Sequence, residues 1–352
     1  MELLLIQSQE HDKLPLAELN AVLETEEMDV EIEKVHPGIV LLKNIAENVF
    51  DDYYRILVRR LAYTHEVHHL ISKISYENIE NGVLSINWSL FIDENFAVRV
   101  KRIDSDIDTV ATERKIGSLI LSKTDGISVN LSNPKSFIRV IANENDLYLC
   151  YGKYQLNKKY FEEMKPHKRP FFHPGCMSPK LARCMVNLSR IREGDLVLDP
   201  FCGTGGILME AGIIGARLVG CDIDWRMKKG TATNLDYIGI TDYKTHVVDI
   251  RELEMYELAD AVVTDPPYGI STTTSGEGTS GIFKSFLISI KHNMKDDALL
   301  VMASPDSIDI DSILDEVGFV LHERYAIRMH RSLTRIISVI AKRNGSSEKT
   351  IR

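Results

Sequence analysis

The second half of the sequence predicts an α/β fold, a mainly parallel sheet covered by helices on both faces. One edge should carry an antiparallel hairpin, and an α+β portion should precede the whole. Three observations carry this reading. From residue 196 onward, short apolar runs alternate with segments of helical periodicity, the signature of repeated βα units. The first run opens directly into a glycine-rich turn, Cys202-Gly203-Thr204-Gly205-Gly206. The last two runs, 319–327 and 335–342, have no helix between them and should pair antiparallel.

At 352 residues the chain is long enough for two or three domains. Its 44% hydrophobic and 26% charged residues are those of an ordinary globular protein. No apolar run approaches the roughly 20 residues of a membrane helix. The start, Met1-Glu2-Leu3-Leu4-Leu5-Ile6, reads as a first strand and not as a signal peptide. Five cysteines without a CxxC pair argue against a zinc site or a disulfide scaffold, so no metal is expected and the compartment should be cytoplasmic. A net charge of −9 does not mark a nucleic-acid binder, but its distribution is uneven. Residues 1–50 set three basic groups against eleven acidic ones, whereas 161–190 set six basic against two acidic. A basic middle can hold a polyanion locally, or it can be a solvated bias.

In chain order, residues 1–62 alternate apolar runs (3–6, 30–32, 39–42) with an amphipathic stretch at 16–23 and a helical run over 49–62, a small α+β unit. Residues 63–155 read as strands at 83–88, 96–102, 126–131, 137–142 and 146–150. Between them 109–121 has helical spacing through Val110, Ile116, Leu119 and Ile120. The polar, basic, proline-punctuated stretch 156–170 reads as a linker. Ser178 and Pro179 then suit the N-cap and first position of a helix whose apolar face is Leu181, Cys184, Met185, Leu188 and Ile191. The loop before it, with His173 and Pro174, is placed to cover a ligand. Beyond it, strands are expected at 196–198, 218–221, 246–248, 261–264 and 298–303, besides the final pair. Helices are expected at 206–214, 226–238, 282–294 and 307–317.

The turn after the first of these strands is Asp199-Pro200-Phe201-Cys202-Gly203-Thr204-Gly205-Gly206. Glycines there admit a ligand close to the backbone. The dinucleotide fingerprint is broken by Leu208 in the third glycine position, and Asp199 would repel a pyrophosphate. A cationic ligand such as S-adenosylmethionine suits it better. Asp222, next to Ile223, ends the second strand where a carboxylate meets ribose hydroxyls, while Asp224 better suits a helix cap. Asp249-Ile250 ends the third strand, where Asp249 either accepts from an adenine amine or caps a helix.

The fourth strand stops at Asp265-Pro266-Pro267-Tyr268. Prolines supply no ladder N–H, so the strand must end there, at the edge where open α/β sheets bind ligands. Asp265 and the Pro266 carbonyl can each accept one hydrogen of an exocyclic amine, and Tyr268 can stack on its ring. Holding both hydrogens out of the ring plane restores nucleophilic character to an otherwise delocalised lone pair. The loop 271–281 that follows is either a lid or a plain connector.

These motifs give the doubly wound, Rossmann-like sheet a family. Asp265 to Gly269, the loop Asp199 to Gly206, and Arg169-Pro170-Phe171-Phe172-His173-Pro174-Gly175 resemble the amino-group methyltransferases that use S-adenosylmethionine. Residues 96–102, 113–117, 129–131 and 137–140 resemble a THUMP domain, an RNA-binding module. Together, in the order N-terminal domain (1–62), THUMP (63–155), linker (156–170) and methyltransferase (171–345), the chain resembles the archaeal tRNA guanosine-10 N2-methyltransferases. It departs from their pattern at Cys176, where a small hydroxyl residue is expected.

The resemblance implies methylation of guanine N2 in tRNA, once or twice, with Asp265 to Tyr268 catalytic. The cofactor would be held by His173, Pro174, Pro200, Cys202, Gly203, Thr204, Gly205, Asp199, Asp222, Ile223, Asp249, Ile250 and Asp265. Candidate RNA contacts are Arg99, Lys101, Arg102, Arg114, Lys115, Arg139, Lys168, Arg328 and Arg331. Arg328, His330, Arg331 and Arg335 cluster at the final hairpin, where they either grip phosphates or form a solvated turn. Phe171 or Phe172 is a second stacking partner or core. A monomer that acts on tRNA is expected. Rivals are a ribosomal-RNA or other-position tRNA enzyme, a DNA amino-methyltransferase, and a non-catalytic RNA-binding subunit.

Overall fold

The computed structural model describes residues 1–144, 146–152, 158–267, 279–330 and 333–343. The chain divides into two compact units. Met1–Gln9, Asp29–Val58 and Thr64–Asn157 form the first, and Glu10–Met28, Arg59–Tyr63 and Lys158–Arg352 the second.

The first unit is built on one eight-stranded sheet. Its strands are β1 (Leu3–Gln7), β2 (Glu31–His36), β3 (Ile39–Lys43), β4 (Thr64–Ser75), β5 (Asn95–Arg102), β6 (Ser128–Val129), β7 (Ser136–Asn143) and β8 (Asp146–Tyr151), in the order β2-β3-β1-β4-β8-β7-β5-β6. The expected boundary at residue 62 is therefore corrected: β1 pairs with β4, Leu3 opposite His69, and the sheet continues across it. Strand β4 escapes a sequence reading because Glu66, His68 and Lys73 interrupt its apolar pattern. Glu66 is buried, and its carboxylate accepts from Lys101 Nζ (2.8 Å) and Arg139 Nε (2.9 Å).

The amphipathic stretch near the N-terminus is helix α1 (Leu14–Thr25), which groups with the second unit and not with the strands around it. Helix α2 (Phe50–Arg60) follows β3. The strand expected at 83–88 is also corrected. Helix α3 (Ile79–Leu84) ends there and a single 3₁₀ turn starts at Trp88, whose indole N–H donates to the Val83 carbonyl at 2.9 Å. Val83 and Trp88 are both buried, and the alternation of Leu84, Ile86 and Trp88 with Ser85 and Asn87 mimicked a strand. Helix α4 (Thr109–Lys123) lies where periodicity puts it.

In the second unit, the stretch read as a linker holds helix α5 (Lys158–Glu163). Phe161 and Met164 pack against the apolar cluster there, and Tyr160 donates to Glu210 at 2.8 Å. Helix α6 (Pro179–Leu188) is capped by Ser178, which accepts from Leu181 N. The seven-stranded sheet comprises β9 (Leu196–Asp199), β10 (Arg217–Asp222), β11 (Tyr243–Val247), β12 (Ala259–Thr264), β13 (Met294–Pro305), β14 (Phe319–His330) and β15 (Leu333–Lys342). Its order is β11-β10-β9-β12-β13-β15-β14, parallel but for β15, which runs antiparallel to β13 and β14. The hairpin thus sits at one edge, as expected.

Helices α7 (Gly206–Ile214), α8 (Trp225–Tyr237), α9 (Thr279–Asn293) and α10 (Ile310–Val317) complete the unit. Alternate strand residues feed two apolar clusters. Val197, Val263 and Val301 join Leu181 and Leu208, whereas Leu198, Val262 and Leu300 join Phe286 and Leu314. Period-2 strands buried on both faces make the doubly wound arrangement. The strand order reverses direction between β9 and β12, which opens a crevice over their carboxyl ends.

Candidate active site

Asp199 closes β9 and is 2% exposed. Its Oδ1 accepts from Thr264 Oγ1 at 2.7 Å and from Phe201 N at 3.2 Å. Burial pushes its pKa up to about 7, with the Asp265 and Asp222 carboxylates adding to the rise and the Thr264 hydrogen bond opposing it. The following turn needs its glycines. Gly203 and Gly205 have φ of +51° and +78°, and a Cβ on Gly205 would stand 2.9 Å from Thr231.

Asp222, at the end of β10, accepts from Gly203 N (3.0 Å) and Asp224 N (2.9 Å), and burial raises its pKa too. One carboxylate therefore ties the turn to the neighbouring strand. Asp224 caps α8 by accepting from Arg226 N. Asp249 caps a 3₁₀ turn, and Arg251 binds its carboxylate and holds it below its ordinary pKa. Its cap role is thus realised, and any adenine contact must be made beside Arg251.

A cavity of about 1050 Å³ lies over these strand ends, at the upper end of small-molecule sites. Of residues 200–205 all but Gly205 line it, together with His173, Pro174, Asp199, Asp222, Ile223, Asp249, Ile250, Asp265, Pro266 and Pro267. Gly205 faces Thr231 instead. Tyr268 and the loop 271–278 lie outside the described residues. The thiol of Cys176 meets the His173 carbonyl (2.8 Å) and Thr204 Oγ1 (3.1 Å), the contacts a hydroxyl would make.

The sequence reading missed Asn234 and gave Arg169 and Arg335 other places. Asn234 of α8 donates to the Thr204 and Phe171 carbonyls (2.8 and 2.9 Å) and accepts from Phe171 N (3.0 Å), clamping the glycine turn to the 171–177 loop. Arg169, nominally in the linker, is buried with Nη1 2.9 Å from where a Gly206 Cβ would be. Arg335 does not extend a surface cluster at the hairpin. It is 7% exposed, lines the cavity, and places Nη2 3.3 Å from Asp265 Oδ2. No local pattern announces such partners, because each is remote in sequence. The Phe171 ring lies against Gly230, so Phe171 packs the loop onto α8 and is not an open stacking face, whereas Phe172 is 49% exposed.

The candidate RNA contacts divide. Lys101 and Arg139 are committed to Glu66, and Arg99 donates to the Val98 and Leu131 carbonyls. Arg102, Arg114, Lys115, Lys168 and Arg328 are exposed, and Arg331 lies outside the described residues.

Comparison with known proteins gives these features a family. The profile described as an RMKL-like methyltransferase domain matches residues 166–337, and that of the THUMP domain matches residues 73–151. The tRNA (guanine(10)-N2)-dimethyltransferase of Methanothermobacter thermautotrophicus is 44% identical over 97% of this chain and 100% of its own. The chain belongs to the tRNA (guanine(10)-N2)-dimethyltransferase family. Its relative of the same name in Methanocaldococcus jannaschii is 36% identical over 95% of this chain and 97% of that one. Among solved structures, TrmN from Thermus thermophilus matches with a TM-score of 0.58 at 18% identity, over 97% of this chain and 100% of that one, a likeness of fold. Family membership fits the carboxylates at successive strand ends, Asp199, Asp222 and Asp265.

Proposed function

We propose that the protein transfers methyl groups from S-adenosylmethionine to the exocyclic N2 amine of guanosine 10 in tRNA, giving N2-methyl- and N2,N2-dimethylguanosine. The observation that carries this is one cavity holding Asp265-Pro266-Pro267 beside the Asp199 and Asp222 turn. The residues fit the cofactor. Asp199 is a buried carboxylate without a cation of its own among its hydrogen-bond partners, and Gly203 has open space where a Cβ would be. Asp199 suits the cationic methionyl end, Asp222 the ribose hydroxyls, and Ile223 and Ile250 the faces of the adenine. Bound there, the cofactor supplies a methyl group on a sulfonium, an electrophile that needs no strong base.

The chain's residues do the rest. Guanine N2 is sequestered in a helical stem, so the nucleotide must be flipped out at a cost of roughly a few kcal/mol. Tyr268 is assigned to stacking on the flipped base. Asp265 accepts one N–H, orients the lone pair, and takes the proton released as the N–C bond forms; the Pro266 carbonyl is assigned the second N–H. A second round needs only one remaining N–H, so the same residues serve dimethylation. The exposed cations Arg102, Arg114, Lys115, Lys168 and Arg328 are assigned to phosphates, which position but do not specify.

Among the described residues no helix is long and apolar enough to cross a membrane, and we place the enzyme in the cytoplasm as a monomer. The test is incubation with unmodified tRNA transcript and S-adenosylmethionine, then mass spectrometry of nucleosides and mapped fragments. Methylated guanosine at position 10 is expected. Product at another guanosine would overturn the position, and none on any tRNA the substrate.

A further inference from the structure

Strand β15 presents Arg335, Ile337 and Val339 at alternate positions, and therefore on one face. Ile337 and Val339 are buried in the apolar cluster with Val263 and Leu208. Arg335 takes the next place on that face, with its backbone opposite Pro305 of β13 and Ile327 of β14. A guanidinium in an apolar register is costly to bury unless a charge meets it. Here the meeting charge is Asp265, 3.3 Å away and facing the same cavity. Four further carboxylates line that cavity, Asp199, Asp222, Asp224 and Asp249; Arg226 binds Asp224 and Arg251 binds Asp249, and Arg335 stands beside Asp265.

We infer that Arg335 is a positioning residue for methyl transfer, holding the Asp265 carboxylate aimed at the target amine. This rests on the proposed guanine-N2 methylation and adds to it a second strand. The catalytic aspartate comes from β12, and its orientation from the antiparallel strand β15. The cost of losing a carboxylate's aim falls on the reacting geometry, where misplacement by about 1 Å lowers rate ~100-fold. It does not fall on cofactor or tRNA affinity.

The experiment compares the wild-type chain with R335A and R335K on the same tRNA transcript, reading kcat, KM for tRNA, cofactor affinity by calorimetry, and Tm. For R335A a fall in kcat of about 100-fold is expected, with KM and cofactor affinity within about threefold of wild type. Added guanidinium ion should recover part of the R335A rate, and R335K should retain an intermediate kcat. R335A with near-wild-type kcat would overturn the inference. So would a loss confined to KM, which marks a phosphate contact, or a loss that tracks Tm without rescue by guanidinium or lysine. If R335A does not fold, R335K alone decides: intermediate kcat at unchanged KM supports the inference, and any other pattern overturns it. An inactive wild-type chain would sink the functional reading first, a result distinct from any of these.

Discussion

Asp265 and Asp199 make opposite demands on their surroundings. Asp265 is proposed to accept from the target amine, so D265A should abolish transfer while calorimetric cofactor binding stays near normal; equal loss of both would remove its catalytic role. Asp199 is buried, with its pKa pushed to about 7 from an ordinary 3.8. A raised carboxylate pKa means the folded chain holds a proton the unfolded chain has released. Its contribution to stability is therefore lost as pH rises from about 4 to 7. A cationic ligand favours the ionised form, so cofactor affinity should rise about tenfold between pH 6 and 8 and level off above. Affinity that is flat with pH, measured by calorimetry, would take Asp199 away from the cationic end of the ligand. These carboxylates were legible in the sequence because strand ends are easy to find. Asn234 and the pairing of Arg335 with Asp265 were not, since the partners lie 30 residues or more away (Thr204 for Asn234) and nothing local marks them.

At the scale of elements, apolar runs located β9, β10, β12 and β13 well, because strands buried on both faces are continuous in hydrophobicity. Edge strand β11 is largely exposed, and its first residues Tyr243, Lys244 and Thr245 gave no signal. β4 hid behind charges that only its partners explain, and Val83 to Trp88 looked like a strand because Leu84, Ile86 and Trp88 alternate with Ser85 and Asn87. Helix α8 holds the 171–177 loop through Asn234 and through a close approach at one small residue, Gly230. A Cβ at Gly230 would lie 2.0 Å from the Phe171 ring, so G230A should displace that ring and the 171–177 loop with it. Overpacking of this kind costs about 1–3 kcal/mol, visible as a lower Tm together with weaker cofactor binding. Unchanged cofactor affinity would show that the loop does not depend on this contact.

At the scale of the whole molecule, the second unit does not begin where its sheet begins. Glu18 of α1 is fully buried and accepts from the backbone N–H groups of Ala62 and Tyr63 (3.0 and 2.8 Å) and from Asn187 Nδ2 (2.9 Å). Arg60 donates to Asn187 Oδ1 and the Ile191 carbonyl. A fragment spanning 158–352 lacks both, leaving the Asn187 amide of α6 and the Ile191 carbonyl without these partners. It should melt well below the full chain or fail to fold, whereas E18Q, which keeps acceptor oxygen, should lose less stability than E18A. A fragment as stable as the full chain would show that α1 is dispensable. The sequence placed α1 with its neighbours in the chain, because proximity in sequence was the only guide to company.

That arrangement has a consequence during synthesis. Glu18 leaves the ribosome 169 residues before Asn187, which at roughly 5–20 residues per second is a wait of about 10–30 s. Through that interval α1 has no α6 to cover it, while β1 on one side and β2 on the other already belong to a different folding unit. The nascent chain must keep a short apolar helix out of wrong company until just over half of its length has appeared. Slow passage through the segment coding for α6 should therefore harm this protein more than the same pause placed after β15, an expectation that pulse-chase proteolysis of ribosome-bound chains can read directly.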